Sequence, residues 1–160
     1  MSSTEAANNF AEKQHFAEEV GLFFERSGLT RMAGRILGWL LVCDPPHQTI
    51  TDLANALQAS KGSISGMTRF LIHLGLIERF SLPGERRDYF RVRPDAWYFA
   101  MESKLAEVSR VREMAERGLE LLDDEDPANR QRLEEMRDIH AFFEREIPLM
   151  LVRWKQARPA

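Results

Sequence analysis

Cysteine is nearly absent: Cys43 is the only one in 160 residues. No disulfide can close within the chain, so stability must come from packing, and the count fits a reducing, cytoplasmic compartment. Long apolar runs are missing too. The longest, Ile36 to Cys43 with Gly38 inside it, is far short of the roughly 20 residues that span a bilayer. Met1 to Gln14 hold no apolar core of a secretory signal, so no membrane association is expected. Nor is there a glycine-rich phosphate loop, an HExxH pair or a nucleophile elbow, and nothing nominates an enzyme. His15, His47, His73 and His140 are scattered, without metal-ligand spacing among them or to Cys43; neither a metal nor another cofactor is expected. Core-forming residues are plentiful: 44% of the chain is hydrophobic and 29% charged. That composition excludes a disordered tail and suits one domain, with or without a helical extension.

The net charge of −3 argues at first against a nucleic-acid partner. Its distribution reverses that argument. His47 to Pro94 carry a balance of +3, Met1 to Pro46 one of −2, and Asp95 to Ala160 one of −4. A basic middle is flanked by acidic ends, a pattern that the mean conceals. The run Asp123 to Asp126 before Pro127 reads as a break between helices.

The spacing of apolar residues predicts a mainly α protein with a small β-hairpin. Phe10 to Ser27 is amphipathic, with Phe10, Ala17, Val20, Phe23 and Phe24 on one side, and Gly28 ends it. A second helix, capped by Thr30 and running to Cys43, is apolar nearly all round and should be central; Pro45-Pro46 stops it. After an extended piece, Thr51 is the expected N-cap of a short helix with Leu53, Ala54 and Leu57 inward. Ser60 caps the next, which runs through Ile64, Met67, Phe70, Leu71 and Leu74 to Gly75. Leu76 to Leu82 and Asp88 to Arg93 read as strands joined by a turn at Pro83 to Arg87. Pro94 to Leu122 is helical. In a last helix, near Pro127 to Lys155, Leu133, Met136, His140, Phe143, Ile147, Met150 and Trp154 recur at alternating steps of three and four. That is a heptad seam, which favours a helical partner; Pro148 should kink it.

Two short helices, a tight turn and a basic hairpin compose a winged helix-turn-helix. Leu53, Ala54 and Leu57 would pack against Ile64 and Leu71, holding the second helix at the angle that enters a major groove. Its outer face would carry Ser60, Lys61, Gly62, Ser63, Ser65, Gly66 and Arg69. Glycines and small hydroxyls permit close approach, amides and hydroxyls bind phosphate, and arginine reads guanine. Arg86 and Arg87 at the hairpin tip would reach phosphates or the minor groove.

The run Leu53-Ala54, Leu57, Ser60-Lys61, Ile64-Ser65, Leu71 and Gly75 to Arg79 resembles the MarR family of transcriptional regulators. The wing, Gly84 to Phe90 followed by Arg93-Pro94, is similar to the GbsR-like branch, and Leu29 to Pro45 resembles mycobacterial efflux repressors of that family. The resemblance, from Phe10 to Trp154, implies a homodimer on a pseudo-palindromic double-stranded operator, released by a lipophilic effector. It implies dimerisation helices at both ends: residues 1–29, then a DNA-binding lobe over 30–94, then a helical region over 95–160, intertwined as one unit. Phe10 and the seam from Leu133 to Trp154 would form the dimer contact. The family's wing carries an Asp-x-Arg element in which the acid orients the arginine; Glu85 and Arg87 hold those positions here.

Phe16, Phe23, Phe24, Trp39, Phe99 and Met101 are either core residues or the lining of a ligand cavity. Cys43 lies in an apolar run with no Lys or His near it in sequence, which points to an inert buried thiol. A winged helix that binds a protein partner instead of DNA is the competing reading, supported by the acidic net charge.

Overall fold

The computed structural model describes residues 3–122 and 127–157. The acidic run Asp123 to Asp126 lies outside the described residues. Two compact units divide the chain at residues 96 and 97.

The first unit opens with α1 (Ser3–Arg26) and α2 (Arg31–Val42). α2 buries Ala33, Gly34 and Ile36 through Leu40, as its all-round apolar pattern predicts. It is pressed close to α1 by small residues. A Cβ at Gly34 would stand 2.6 Å from the Val20 carbonyl oxygen, and one at Gly38 would stand 2.9 Å from the Ala17 Cα. Thr30 occupies the N-cap of α2, but its side chain makes no capping hydrogen bond.

α3 (Ile50–Leu57) and α4 (Lys61–His73) follow. Thr49, not Thr51, caps α3. The Thr49 hydroxyl accepts from the Asp52 N–H at 3.1 Å, and the Thr49 N–H donates to Asp52 Oδ2 at 2.9 Å. This reciprocal box needs an acid three residues after the cap, and only Thr49 has one. Gln58, left-handed at φ 50°, ends the helix. Side chains from α1 and α2 close that end: Gln14 Nε2 donates to the Ala56 carbonyl at 2.6 Å, and Arg35 Nη2 to that of Leu57 at 2.7 Å.

β1 (Ile77–Ser81) and β2 (Asp88–Val92) pair antiparallel, from Ile77 opposite Val92 to Ser81 opposite Asp88. Gln48 exchanges two backbone hydrogen bonds of 2.9 Å with Phe90, tying the segment before α3 to the hairpin. Ile36, Leu37, Leu53, Ile64, Leu71 and Ile77 form the heart of the core. Ile64 and Leu71 therefore anchor α4 from beneath, and the opposite side of that helix stays at the surface.

In the second unit, α5 (Ala96–Glu120) and α6 (Pro127–Ala157) run antiparallel. Tyr98 stacks on Trp154 with centroids 6.2 Å apart, and Glu144 accepts from Ser109 Oγ and Arg112 Nε, each at 2.6 Å. A Cβ at Gly118 would lie 2.8 Å from Leu133. Pro148 sits inside α6, and no described residue of α6 is buried.

Candidate nucleic-acid interface

Ser60 starts α4 by accepting the Ser63 N–H at 3.2 Å. Lys61, Gly62, Ser63 and Arg69 are exposed, while Ser65 and Gly66 are half-buried. A Cβ added at Gly62 or Gly66 would meet nothing within 4 Å. Those glycines thus relieve no crowding inside the protein and leave the helix surface open to an approaching partner. Thr68 was not among the expected site residues; it is buried beneath this face, and its hydroxyl donates to the Ser65 carbonyl at 3.1 Å. Arg69 Nε donates to the same carbonyl at 3.2 Å, which lays the guanidinium along the helix.

Glu85, Arg86 and Arg87 are exposed at the hairpin tip, where Gly84 takes φ 83°. The expected Glu85–Arg87 contact is not formed. Glu85 accepts instead from the Tyr89 hydroxyl. Glutamate is one methylene longer than the aspartate of the family pattern, and its carboxylate reaches the strand. That bond, with burial and the Glu85 charge behind it, raises the Tyr89 hydroxyl above its ordinary pKa; Arg87 acts in the opposite direction. Arg87 shares a cleft of about 550 Å³ with Thr49, Ile50, Thr51, Asp52 and Asp88. Asp52 also escaped the sequence reading, although the Thr49-x-x-Asp52 spacing marks it as a capping acid.

Other arginines of the wing are paired. Arg79 lies 3.4 Å from Asp88, and Arg91 lies 2.7 Å from Glu78 and 4.6 Å from the centre of the Phe80 ring. Lys61, Arg86 and Arg87 have no such partner among the described residues. The α4 face and the hairpin tip therefore present cations that no ion pair among the described residues holds, which suits them to grip phosphates.

The expected ligand-lining residues are placed as follows. Phe23 is exposed beside buried Phe24, at 6.5 Å between ring centres, and Phe16 is exposed. Trp39 is 5% exposed and packs edge-on against Phe10 at 5.2 Å. It walls a cleft of about 490 Å³ with Phe10, Lys13 and Cys43. In the second unit Phe99 meets Tyr98 at 6.0 Å. Met101 joins Trp97, Tyr98, Met150, Leu151 and Trp154 around an apolar cleft of about 390 Å³. Met101 thus lies with two residues expected at the dimer contact, and Trp39 with a third, Phe10. Along the α6 seam, Leu133, Met136, His140 and Ile147 are half-buried, whereas Phe143, Met150 and Trp154 are exposed. Burial pushes the Cys43 thiol up to about 11, which keeps it protonated and unreactive at neutral pH. Among the described residues no group of acids, histidines and cysteine is placed to hold a metal, and no helix is long and apolar enough to cross a membrane.

A helix-turn-helix with an open, cationic second helix and a basic β-hairpin defines a winged-helix DNA-binding regulator. The profile of MmpR5-like MarR family transcriptional regulators matches residues 95–157. The HTH-type transcriptional regulator MmpR5 of Mycobacterium tuberculosis is 45% identical over 141 residues, 88% of this chain and 86% of that protein. A crystal structure of a transcriptional regulator aligns with TM-score 0.79 at 43% identity, over 91% of this chain and 99% of that one. The chain belongs to the MarR family of transcriptional regulators, which are not enzymes.

Proposed function

We propose that this regulator is a cytoplasmic homodimeric repressor. Ser60, Lys61, Gly62, Ser63, Ser65 and Arg69 meet the major groove of a pseudo-palindromic operator. Arg86 and Arg87 hold the flanking backbone, with Glu85 beside them. Residues 1–29 and 95–160 supply the dimer contact, and residues 30–94 the DNA-binding lobe. A lipophilic effector releases the DNA, and the controlled operon encodes efflux or transport; both points rest on the family resemblance. The observation that carries the DNA reading is the set of cations that no ion pair among the described residues holds, Lys61, Arg86 and Arg87, beside glycines that face open space. A winged helix devoted to a protein partner needs neither feature.

Fluorescence anisotropy tests the reading, with a labelled duplex from upstream of the protein's own gene titrated against a scrambled duplex across a salt series. Preference for the first duplex, with affinity falling steeply as salt rises, is expected. Arg87→Ala should weaken binding and reduce the salt slope by about one phosphate's worth per half-site. Equal weak binding to both duplexes removes the reading of a sequence-specific regulator of this operator, and an unchanged affinity and slope in the variant removes the wing from the mechanism.

A further inference from the structure

Arg87 has no ion-pair partner among the described residues, yet the carboxylates of Asp52 and Asp88 line the same cleft. Each acid here is committed differently. Glu85 is taken by the Tyr89 hydroxyl. Asp88, in the same cleft as Arg87, is engaged by Arg79 at 3.4 Å and by Ser81 Oγ at 3.5 Å. Asp52 completes the cleft from α3. Its Oδ2 receives both the Thr49 N–H at 2.9 Å and the Thr49 hydroxyl at 2.7 Å, while its Oδ1 is bonded to no described residue. The helix cap therefore fixes this carboxylate in place and leaves one oxygen open.

We propose that Asp52 restrains Arg87 in the free protein, the opposite of the orienting role that the family pattern gives to the wing's own acid. In the free protein Asp52 draws the guanidinium toward the cleft between α3 and the wing. A DNA phosphate must compete for it, so Asp52 lowers the affinity that Arg87 alone would give. The electrostatics agree: the Thr49 hydroxyl is the main cause holding the Asp52 carboxyl below the usual range, and the Arg87 charge adds to it.

This inference rests on the DNA-binding reading of the wing, and the test separates the two. Operator affinity is measured for the wild type, Asp52→Asn, Arg87→Ala and the double variant, at low and high salt. Asparagine keeps an oxygen for the Thr49 cap and removes the charge. Asp52→Asn should bind about two- to fivefold tighter, the worth of one exposed charge pair. The gain should vanish in the Arg87→Ala background. An unchanged or weaker Asp52→Asn overturns the proposal. So does a gain that persists without Arg87, because Asp52 would then repel DNA directly. A second measurement needs no DNA: the Asp52 carboxyl carbon is titrated by NMR in the wild type and in Arg87→Ala. Its midpoint should rise when the cation is removed, and an unmoved midpoint refutes the pairing. Should the wild type fail to prefer its operator, the DNA reading falls and the titration still decides the pair.

Discussion

Glycine inside a helix costs roughly 0.5–1 kcal/mol relative to alanine, so its presence needs a reason in space. Gly34 has one: an added Cβ would stand 2.6 Å from the Val20 carbonyl oxygen and 2.8 Å from the Gly21 Cα, both backbone atoms that cannot swing aside. Gly66 has none within the protein, where a Cβ meets nothing within 4 Å. The same substitution should therefore have opposite effects at the two sites. Gly34→Ala should destabilise by about 1–3 kcal/mol, the usual cost of overpacking. Gly66→Ala should stabilise by about 0.5–1 kcal/mol yet weaken operator binding, because its methyl occupies the space through which DNA approaches. Thermal unfolding and anisotropy on the same two proteins check both directions. Equal stability changes would show that the helix crossing adapts more easily than its geometry implies. Tighter DNA binding by Gly66→Ala would put this face away from the groove.

At the scale of elements, α3 illustrates how a cap couples charge to folding. The hydrogen bond from the Thr49 hydroxyl is the largest cause of the lowered Asp52 pKa. A carboxyl whose pKa is lower in the folded state contributes stability above its unfolded pKa, and that contribution is lost as pH falls through the folded value. Thr49→Ala should cost about 1 kcal/mol near neutral pH. The gap between variant and wild type should narrow on acidification below the ordinary carboxylate range, as measured by urea unfolding at successive pH values. A constant gap would mean that the cap acts only through the Asp52 N–H bond. Local chemistry of this kind was only partly legible in the chain. Ser60 has no competing hydroxyl that fits the start of α4, so its cap could be read directly. Thr49 and Thr51 are both good capping types, and the choice turned on Asp52 three residues after the first. The hairpin was legible because a glycine-bearing turn separates its strands. The partner of Glu85 was not, since it depends on side-chain reach in the folded wing. The α1–α2 crossing was also hidden: a glycine pair four residues apart means close approach only once a facing helix is known, and Gly38 first appears as an interruption of an apolar run.

At the scale of the molecule, the second unit leaves too much apolar surface exposed for a helix pair that works alone. No described residue of α6 is buried, and Ile139, Phe142, Phe143, Leu149, Met150, Val152 and Trp154 are all exposed. The heptad seam is not uniform in this respect. Leu133 meets α5 at Gly118, and Trp154 stacks on Tyr98, so both ends of the row are engaged within the chain. Phe143, 42% exposed, touches the Phe142 ring at 5.8 Å and lies between the two engaged ends of the row. Contiguous apolar surface of this kind marks an association site, and a seam of heptad spacing suits a helical partner. Phe143→Asp is therefore the most direct test of the homodimer. Light scattering should give about twice the 18.5 kDa chain mass for the wild type and a value near the single chain for the variant, with the helical circular dichroism of the two alike. Operator affinity should fall by about a hundredfold or more, because each lobe then binds its half-site without the raised effective concentration that a tethered second lobe supplies. A variant that remains a dimer moves the contact to another face. One that becomes a monomer yet keeps full affinity removes the two-half-site arrangement itself.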